Sequence, residues 1–561
     1  MTKKRKKKQA EAVGRDPEDR NVALSLPLLL LALLLVGLAN TGPIATNDYG
    51  LHLRIGEEIA HSGLPPGTDS HSHTFPGAPY PDHEWLSQFG MYAVHQIVGD
   101  GGMVVLKGLL VALALAALAA AVSGGTTTRI GLILMVMLLG LHHSQMRPHL
   151  LSWLMAGLLV LLLERRMRWA VPLLLLVWAN CHGSVLLAVG IAGLHFLEEA
   201  WHTRSRKPLV WAAACAVTPL LNPAGFGIYT IFFEISGHTG FIGEWKPYTP
   251  ETAAFWLLVA VIGAAAIGLL KNRTFSPFDA LRLAVLAFFA FQSSRNGVVA
   301  AIYLAPMITR WIGPAVERRP RRTRGLLAGL LLGVLLLTLG LRAADGRALR
   351  FTVDHQQLPL AAISFLQKHR LDGPVYNDYN FGGTLLWKDW PRLPVFIDGR
   401  TEVYRGKVLN EYRTVSRARG GWERIIEGYG VRFFFVRPER AIARVLLEHP
   451  GWELVYFDYH SAIYVQQGLY PALRRLRVVS PYGHRDRTRV NEAVDEMRYL
   501  LAENPLFFGG HKILAFLLQR KGDPKGASEA LRAYLELHPQ GSEVEDTRSL
   551  IADLKREGAW P

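Results

Sequence analysis

The feature that most constrains this chain is a ladder of apolar segments between residues 22 and 343, separated by turns of two different chemistries. A membrane-crossing helix needs roughly 17–25 apolar residues. Such stretches lie near 22–41, 103–123, 129–145, 149–164, 169–181, 184–200, 208–222, 253–270, 279–293, 297–313 and 324–343, so about eleven transmembrane helices are expected. With residues 1–21 on the cytoplasmic side and the spans alternating, one face receives MTKKRKKK, Arg129, Arg165-Arg166-Met167-Arg168, Arg204-Ser205-Arg206-Lys207, Lys271-Asn272-Arg273 and Arg318–Arg324. The other receives only Arg54, Arg147, Lys246 and Arg295 between the spans, apart from Lys107 near the start of the second. Lys and Arg concentrate in cytoplasmic loops, so this arrangement is the expected one. An odd number of spans then places everything after residue 343 outside the cytoplasm.

The net charge of +16 would suggest nucleic acid in a soluble chain. Here the cations sit at the ends of apolar spans and no nucleic-acid motif accompanies them, so no nucleic-acid partner is expected. The two cysteines, Cys181 and Cys215, both lie in apolar segments and argue against a disulfide framework. The first apolar run is followed by Ala39-Asn40-Thr41, a poor cleavage site, and is expected to remain as a helix.

The turns opposite the basic face hold the polar clusters. Ionisable groups at membrane depth are costly and commonly line a cavity or substrate path. The first outer loop, 42–102, carries a helical stretch from Gly50 to His61, a Gly/Pro/Ser/His segment, and an amphipathic stretch from Glu84 to Val98. Its Trp85, Phe89, Tyr92 and Val94 suit the membrane interface. Asp48, after the first span, can serve as a general base or hold a divalent cation beside a phosphate, or simply cap the helix it precedes. His52 and Arg54 follow it on the same stretch. Asp69-Ser70-His71-Ser72-His73 to Asp82-His83-Glu84 is rich in His and carboxylate but matches no closed zinc spacing. His83 and Glu84 are better candidates for lining an acceptor cavity. Arg147 and Arg295 can clamp a phosphate bidentately, or be structural partners of a carboxylate. His149, His182 and Asn296 stand beside them in the same turns. Glu244-Trp245 can supply a second carboxylate and a stacking ring, although an interfacial Trp is commonly an anchor.

Beyond residue 343 the composition becomes that of a soluble chain. Strand-like runs at 374–377, 394–398, 431–436 and 452–458 alternate with helical stretches and predict a small α/β domain over 344–470. Within it, Asn380-Phe381-Gly382-Gly383 lacks the spacing and Lys of a phosphate loop. Asp398 and Arg400 end a strand-like run, where active residues often lie, or pair with each other structurally, which is the reading favoured. Residues 488–561 show helical periodicity and resemble one or two tetratricopeptide-like hairpins.

Asp48-Tyr49-Gly50-Leu51-His52-Leu53-Arg54-Ile55-Gly56, His83-Glu84-Trp85-Leu86 and Phe396-Ile397-Asp398-Gly399-Arg400 together resemble the GT-C glycosyltransferase superfamily. That superfamily includes protein O-mannosyltransferases, oligosaccharyltransferases and lipid A aminoarabinose transferases. The likeness is strongest to a group of poorly characterised bacterial members and covers roughly 22–465. It implies a multi-pass protein of the bacterial inner membrane. It also implies a polyprenyl-phosphate-linked sugar donor, chemistry on the outer face, inversion at the anomeric carbon, and a glycan, lipid or protein acceptor. By position Asp48 matches the superfamily's first-loop acidic residue. The second outer loop, His142–His149, lacks the acidic pair many relatives carry. A divalent cation (Mg or Mn) on Asp48 and Glu244 therefore stays open rather than expected. Two other classes are weighed. A transporter or flippase of a lipid-linked glycan should carry mid-membrane charges and a repeated half, and neither is seen. A non-catalytic envelope assembly scaffold would use the helical tail.

Overall fold

Apolar periodicity sets the helices. In a computed structural model that describes residues 17–230, 246–271, 276–355, 357–404, 406–484, 486, 488–537 and 544–558, each apolar stretch of the ladder lies in a helix. These helices are Pro17–Ala39, Trp85–Ala121, Thr126–Gly140, His149–Glu164, Ala170–Ala179, Val185–Thr203, Lys207–Val217, Ala253–Lys271, Pro277–Gln292, Asn296–Glu317 and Arg321–Ala344. Four of them, Trp85–Ala121, Ala253–Lys271, Asn296–Glu317 and Arg321–Ala344, are long and apolar enough to cross a membrane by length and composition. The run Trp85–Ala121 is broken at Gly99, whose φ of 62° and ψ of −171° only glycine adopts readily. The amphipathic stretch and the span that follows it are thus separate helices on either side of one residue.

The chain divides into two compact units. One contains residues up to Pro43, His83–Ser87 and Val94–Thr352. Its helices expose large apolar side chains such as Leu30, Leu34, Leu109, Leu113, Leu330 and Leu337, as lipid-facing surfaces do. Its turns fall into two sets. In one set, Gly125 N–H donates to Glu317, Arg310 pairs with Glu164 at 2.7 Å, and Arg282 and Ser276 meet Glu198. These are the turns expected on the basic face. The polar turns form the other set, described below.

The second unit contains Ile44–Asp82, Gln88–Ala93 and the chain from Val353 onward. Its centre is a mixed sheet of β1 (Val375–Asn377), β2 (Phe433–Val436), β3 (Trp452–Phe457) and β4 (Ala462–Gln466), in the order β1-β2-β4-β3. β1 runs parallel to β2, with Val375 opposite Phe433. β4 is antiparallel to both β2 and β3. Phe433, Phe434 and Phe435 are all fully buried, so β2 is covered on both faces. The run 394–398, expected as a strand, is not one. Its backbone is held by side chain and loop instead. Asn377 Oδ1 accepts from Phe396 N–H at 2.8 Å, its amide donates to Ile397 O at 2.7 Å, and Val395 pairs with His71 and His73 of the first loop. The fourth strand is Ala462–Gln466, which sequence reasoning missed. Behind the sheet, four helices, Val490–Glu503, Phe508–Lys521, Pro524–Leu537 and Val544–Gly558, pack in succession. Buried Glu496 anchors the first by accepting backbone N–H bonds from Arg477, Val478 and Val479 at 2.8–3.0 Å.

Candidate functional site

In the second unit three sequence motifs converge on Asp48. The helix Asp48–Ser62 begins at this residue. Asn47, not Asp48, occupies the N-cap and makes no side-chain cap bond. Asp48 is therefore a half-buried carboxylate in the first turn of this helix. Glycines hold the neighbouring segments against it. A Cβ on Gly50 would stand 2.7 Å from Gly383 O and 2.8 Å from Trp387 Cβ, and one on Gly383 would stand 2.5 Å from Asn47 O. A Cβ on Gly382 would meet Ile397 O at 2.3 Å, and one on Gly399 would meet Asp48 Oδ1 at 2.7 Å. The residues read at first as a failed phosphate loop are thus a close-packing seam. It joins the Asp48 helix to the Asp398-Gly399-Arg400 turn.

Tyr379 completes this corner. Its hydroxyl donates toward Gly399 O at 3.2 Å and lies 2.9 Å from Thr401 Oγ1. Burial, then the nearby Asp48 charge, raises its pKa, so the phenol stays protonated. Sequence reasoning gave no signal for Tyr379 or Thr401.

Beneath the turn lies a buried ionic network. Arg400, 3% exposed, pairs with Asp398 at 2.6 Å and Asp69 at 2.7 Å. Tyr404 donates to Asp398 at 2.7 Å, and Arg400 Nη1 lies 3.3 Å from His71 Nδ1. The other nitrogen of His71 faces Glu58 at 3.1 Å. Burial raises the Asp398 pKa, but the Arg400 charge and its hydrogen bonds outweigh it, and the net shift is downward. Asp398 and Arg400 are structural, as read from sequence. The Asp69–His73 cluster, which matches no closed zinc spacing, supplies Asp69 and His71 as their partners. Among the described residues no three His, Cys, Asp or Glu side chains group as a metal site. His52 is buried on the Asp48 helix. Arg54 pairs with Glu57 at 2.7 Å and lies 5.9 Å over the Trp390 ring.

In the first unit the polar turns also come together. Arg295 Nη2 is 2.8 Å from His182 Nε2, and Glu84 Oε1 lies 3.6 Å from the same nitrogen and 3.7 Å from His83 Nε2. Ser184 Oγ and Ser152 Oγ stand 2.8 and 3.1 Å from His182 Nδ1, and Trp178 Nε1 donates to both hydroxyls. His182 Nδ1 also accepts from the Ser184 backbone N–H at 3.2 Å. Burial pushes the His83 pKa down to about 4. Trp85 donates to Asn180 at 2.6 Å, and Asn222 donates to His83 O and Ala179 O. His149 opens the helix His149–Glu164, and its Nε2 meets His143 O at 2.7 Å. Asn296 donates to Phe289 O at 3.0 Å. Arg147 is half-buried in the same turn as His149. Glu244 and Trp245 lie outside the described residues. His83, Glu84, His182 and Arg295 thus form one cluster, with Ser152 and Trp178 as members that sequence reasoning missed.

No protein-family model matches this chain, and no curated protein does. Among solved structures the chain is similar to ArnT from Cupriavidus metallidurans, crystallised with undecaprenyl phosphate bound. The two are 16% identical, with 80% of this chain and 98% of that chain covered and a TM-score of 0.44.

Proposed function

We propose that this protein is a multi-pass membrane glycosyltransferase of GT-C type. It transfers a sugar from a polyprenyl-phosphate carrier to a glycan, lipid or protein acceptor on the outer face of a bacterial inner membrane. The observation that carries this reading is the placement of Asp48: a half-buried carboxylate at a helix start, with two other motifs, Gly382-Gly383 and Asp398-Gly399-Arg400, packed against its helix through glycines. A carboxylate so held can take a proton from an acceptor hydroxyl. The acceptor oxygen then bonds to the anomeric carbon as the carbon–oxygen bond to the lipid phosphate breaks. The phosphate leaves as an anion, and Arg147 and Arg295 are the cations proposed to receive it. His182 holds Arg295 in place. If a divalent cation takes part, Asp48 and Glu244 are the proposed ligands. The helical tail is proposed to be tetratricopeptide-like and to bind the acceptor.

A scaffold reading is favoured by one feature, a groove on the tail lined by Phe516, Leu531, Leu550 and Leu554. One experiment separates the two. Protein in lipid nanodiscs receives a panel of polyprenyl-phosphate sugars with candidate acceptors, and free polyprenyl phosphate is followed. Transfer should fall by about 10²-fold or more in Asp48→Asn, the scale of a lost general base. No release by the wild type from any donor, or equal release by the variant, overturns the proposal.

A further inference from the structure

The membrane unit also carries a cation cluster that the glycosyl-transfer reading does not use. The helix Pro17–Ala39 packs against Arg321–Ala344. At the shared end of these helices, opposite the Arg318–Arg324 run, lie Lys107, Arg342, Arg347 and Arg350, the last with its guanidinium against Gly346 and its backbone N–H donating to Thr41 O at 3.1 Å. Lys107 is 4% exposed, and its ammonium donates to Gly42 O at 2.6 Å. Arg342 donates to Ala39 O at 2.7 Å and to Arg347 O at 3.1 Å. Lys107 and Arg347 both lie within electrostatic range of Arg342. Among the described residues, none of the four cations has a carboxylate at ion-pair distance. Asp345, also near Arg342, is exposed to solvent.

Cations do favour helix C-termini, where carbonyls are unpaired. That accounts for one donor of Lys107 and one of Arg342. It does not account for the remaining guanidinium donors of Arg342, or for Arg347 and Arg350, whose side chains are exposed. Like charges this close repel, and an anion would relieve the repulsion. The surroundings indicate which anion. Leu337, Leu341, Leu349 and Phe351 are 60%, 59%, 44% and 50% exposed. A group with a phosphate and an apolar tail fits cations bordered by such side chains better than free phosphate does.

We propose that Arg342, Arg347 and Arg350, backed by Lys107, form a site for the phosphate headgroup of an anionic membrane phospholipid. The arginines supply charge-assisted hydrogen bonds to the phosphate oxygens.

The test uses full-length protein, delipidated in uncharged detergent and titrated with phosphatidylglycerol, phosphatidylcholine, undecaprenyl phosphate or inorganic phosphate, with binding read by native mass spectrometry. Phosphatidylglycerol should bind more tightly than phosphatidylcholine. R342Q should lose about five-fold, and R347Q/R350Q about 25-fold, taking a roughly equal contribution from each arginine near a headgroup. Because R342Q also removes a bond to the Ala39 carbonyl, R347Q/R350Q, which leaves that bond intact, is the deciding variant. Equal binding of the two phospholipids overturns the proposal. So does phosphatidylglycerol binding unchanged in R347Q/R350Q. Arginine-dependent binding of undecaprenyl phosphate alone would assign the cluster to a lipid-linked donor, and of inorganic phosphate alone to a soluble anion. These readouts do not depend on turnover, so they stand apart from the glycosyl-transfer assay.

Discussion

At the scale of single residues, burial separates chemistry from support. Asp48 and Asp398 are both carboxylates beside Gly399, yet Asp398 is fully enclosed and bound to Arg400 while Asp48 remains half-exposed. Removing the Asp398 charge leaves a buried guanidinium with Asp69 as its one remaining carboxylate among the described residues. Breaking a buried pair in this way costs about 3–5 kcal/mol. Asp398→Asn is therefore expected to lower the denaturation midpoint of the second unit, measured by chemical unfolding. The pH dependence follows from the same contact. A carboxyl whose folded pKa is depressed contributes stability above its unfolded value of about 3.9. That contribution is lost as pH falls through the folded value. The wild type should lose stability below about pH 4, and the variant should lose less over the same window. An identical acid limb in both proteins would refute the assignment.

Among elements, the sequence was most legible where periodicity is long. Every apolar stretch of the ladder lies in a helix, because a long run of pattern outweighs local uncertainty. The short elements were less legible. The run 394–398 is apolar enough for a strand, but its hydrogen bonds go to the Asn377 side chain and to a loop over 300 residues away in sequence. No local pattern reports such partners. The same holds for the Asp48 corner. Asp48, Gly382-Gly383 and Asp398-Gly399-Arg400 each stood out alone, but their convergence is a fact of packing. The glycines make that convergence testable. Gly383→Ala would place a Cβ 2.5 Å from Asn47 O, and overpacking of this kind costs about 1–3 kcal/mol. Its melting temperature and its transfer rate should both fall. Gly420→Ala, at a position with nothing within 4 Å, should stay within about 0.5 kcal/mol of wild type. Gly99 differs, since its added Cβ would also meet nothing. Gly99→Ala should destabilise by about 1–3 kcal/mol through backbone conformation alone, and a variant with unchanged thermal stability would contradict that.

For the molecule as a whole, the division into units has a consequence for what can fold. The segment from Val353 onward looks by composition like a detachable soluble domain. Yet its compact unit takes in Ile44–Asp82 and Gln88–Ala93 from the first loop. That loop supplies the Ile44–Val353 pairing, the Ser72–Val395 bridge, the Asp69 partner of Arg400 and the helix packed on Gly383. A fragment 353–561 made alone would expose the buried face of Gly382–Asp389 and leave Arg400 one carboxylate short. Such a buried charge and apolar surface oppose folding. The fragment is expected to aggregate or to melt without a cooperative transition, as seen by circular dichroism and size-exclusion chromatography. Co-expression with residues 44–93, or fusion to them through a flexible linker, should restore a cooperative melt. A fragment 353–561 that folds cooperatively alone would show that the first loop is an addition to this unit. Failure of both forms would show that the unit also needs the membrane helices.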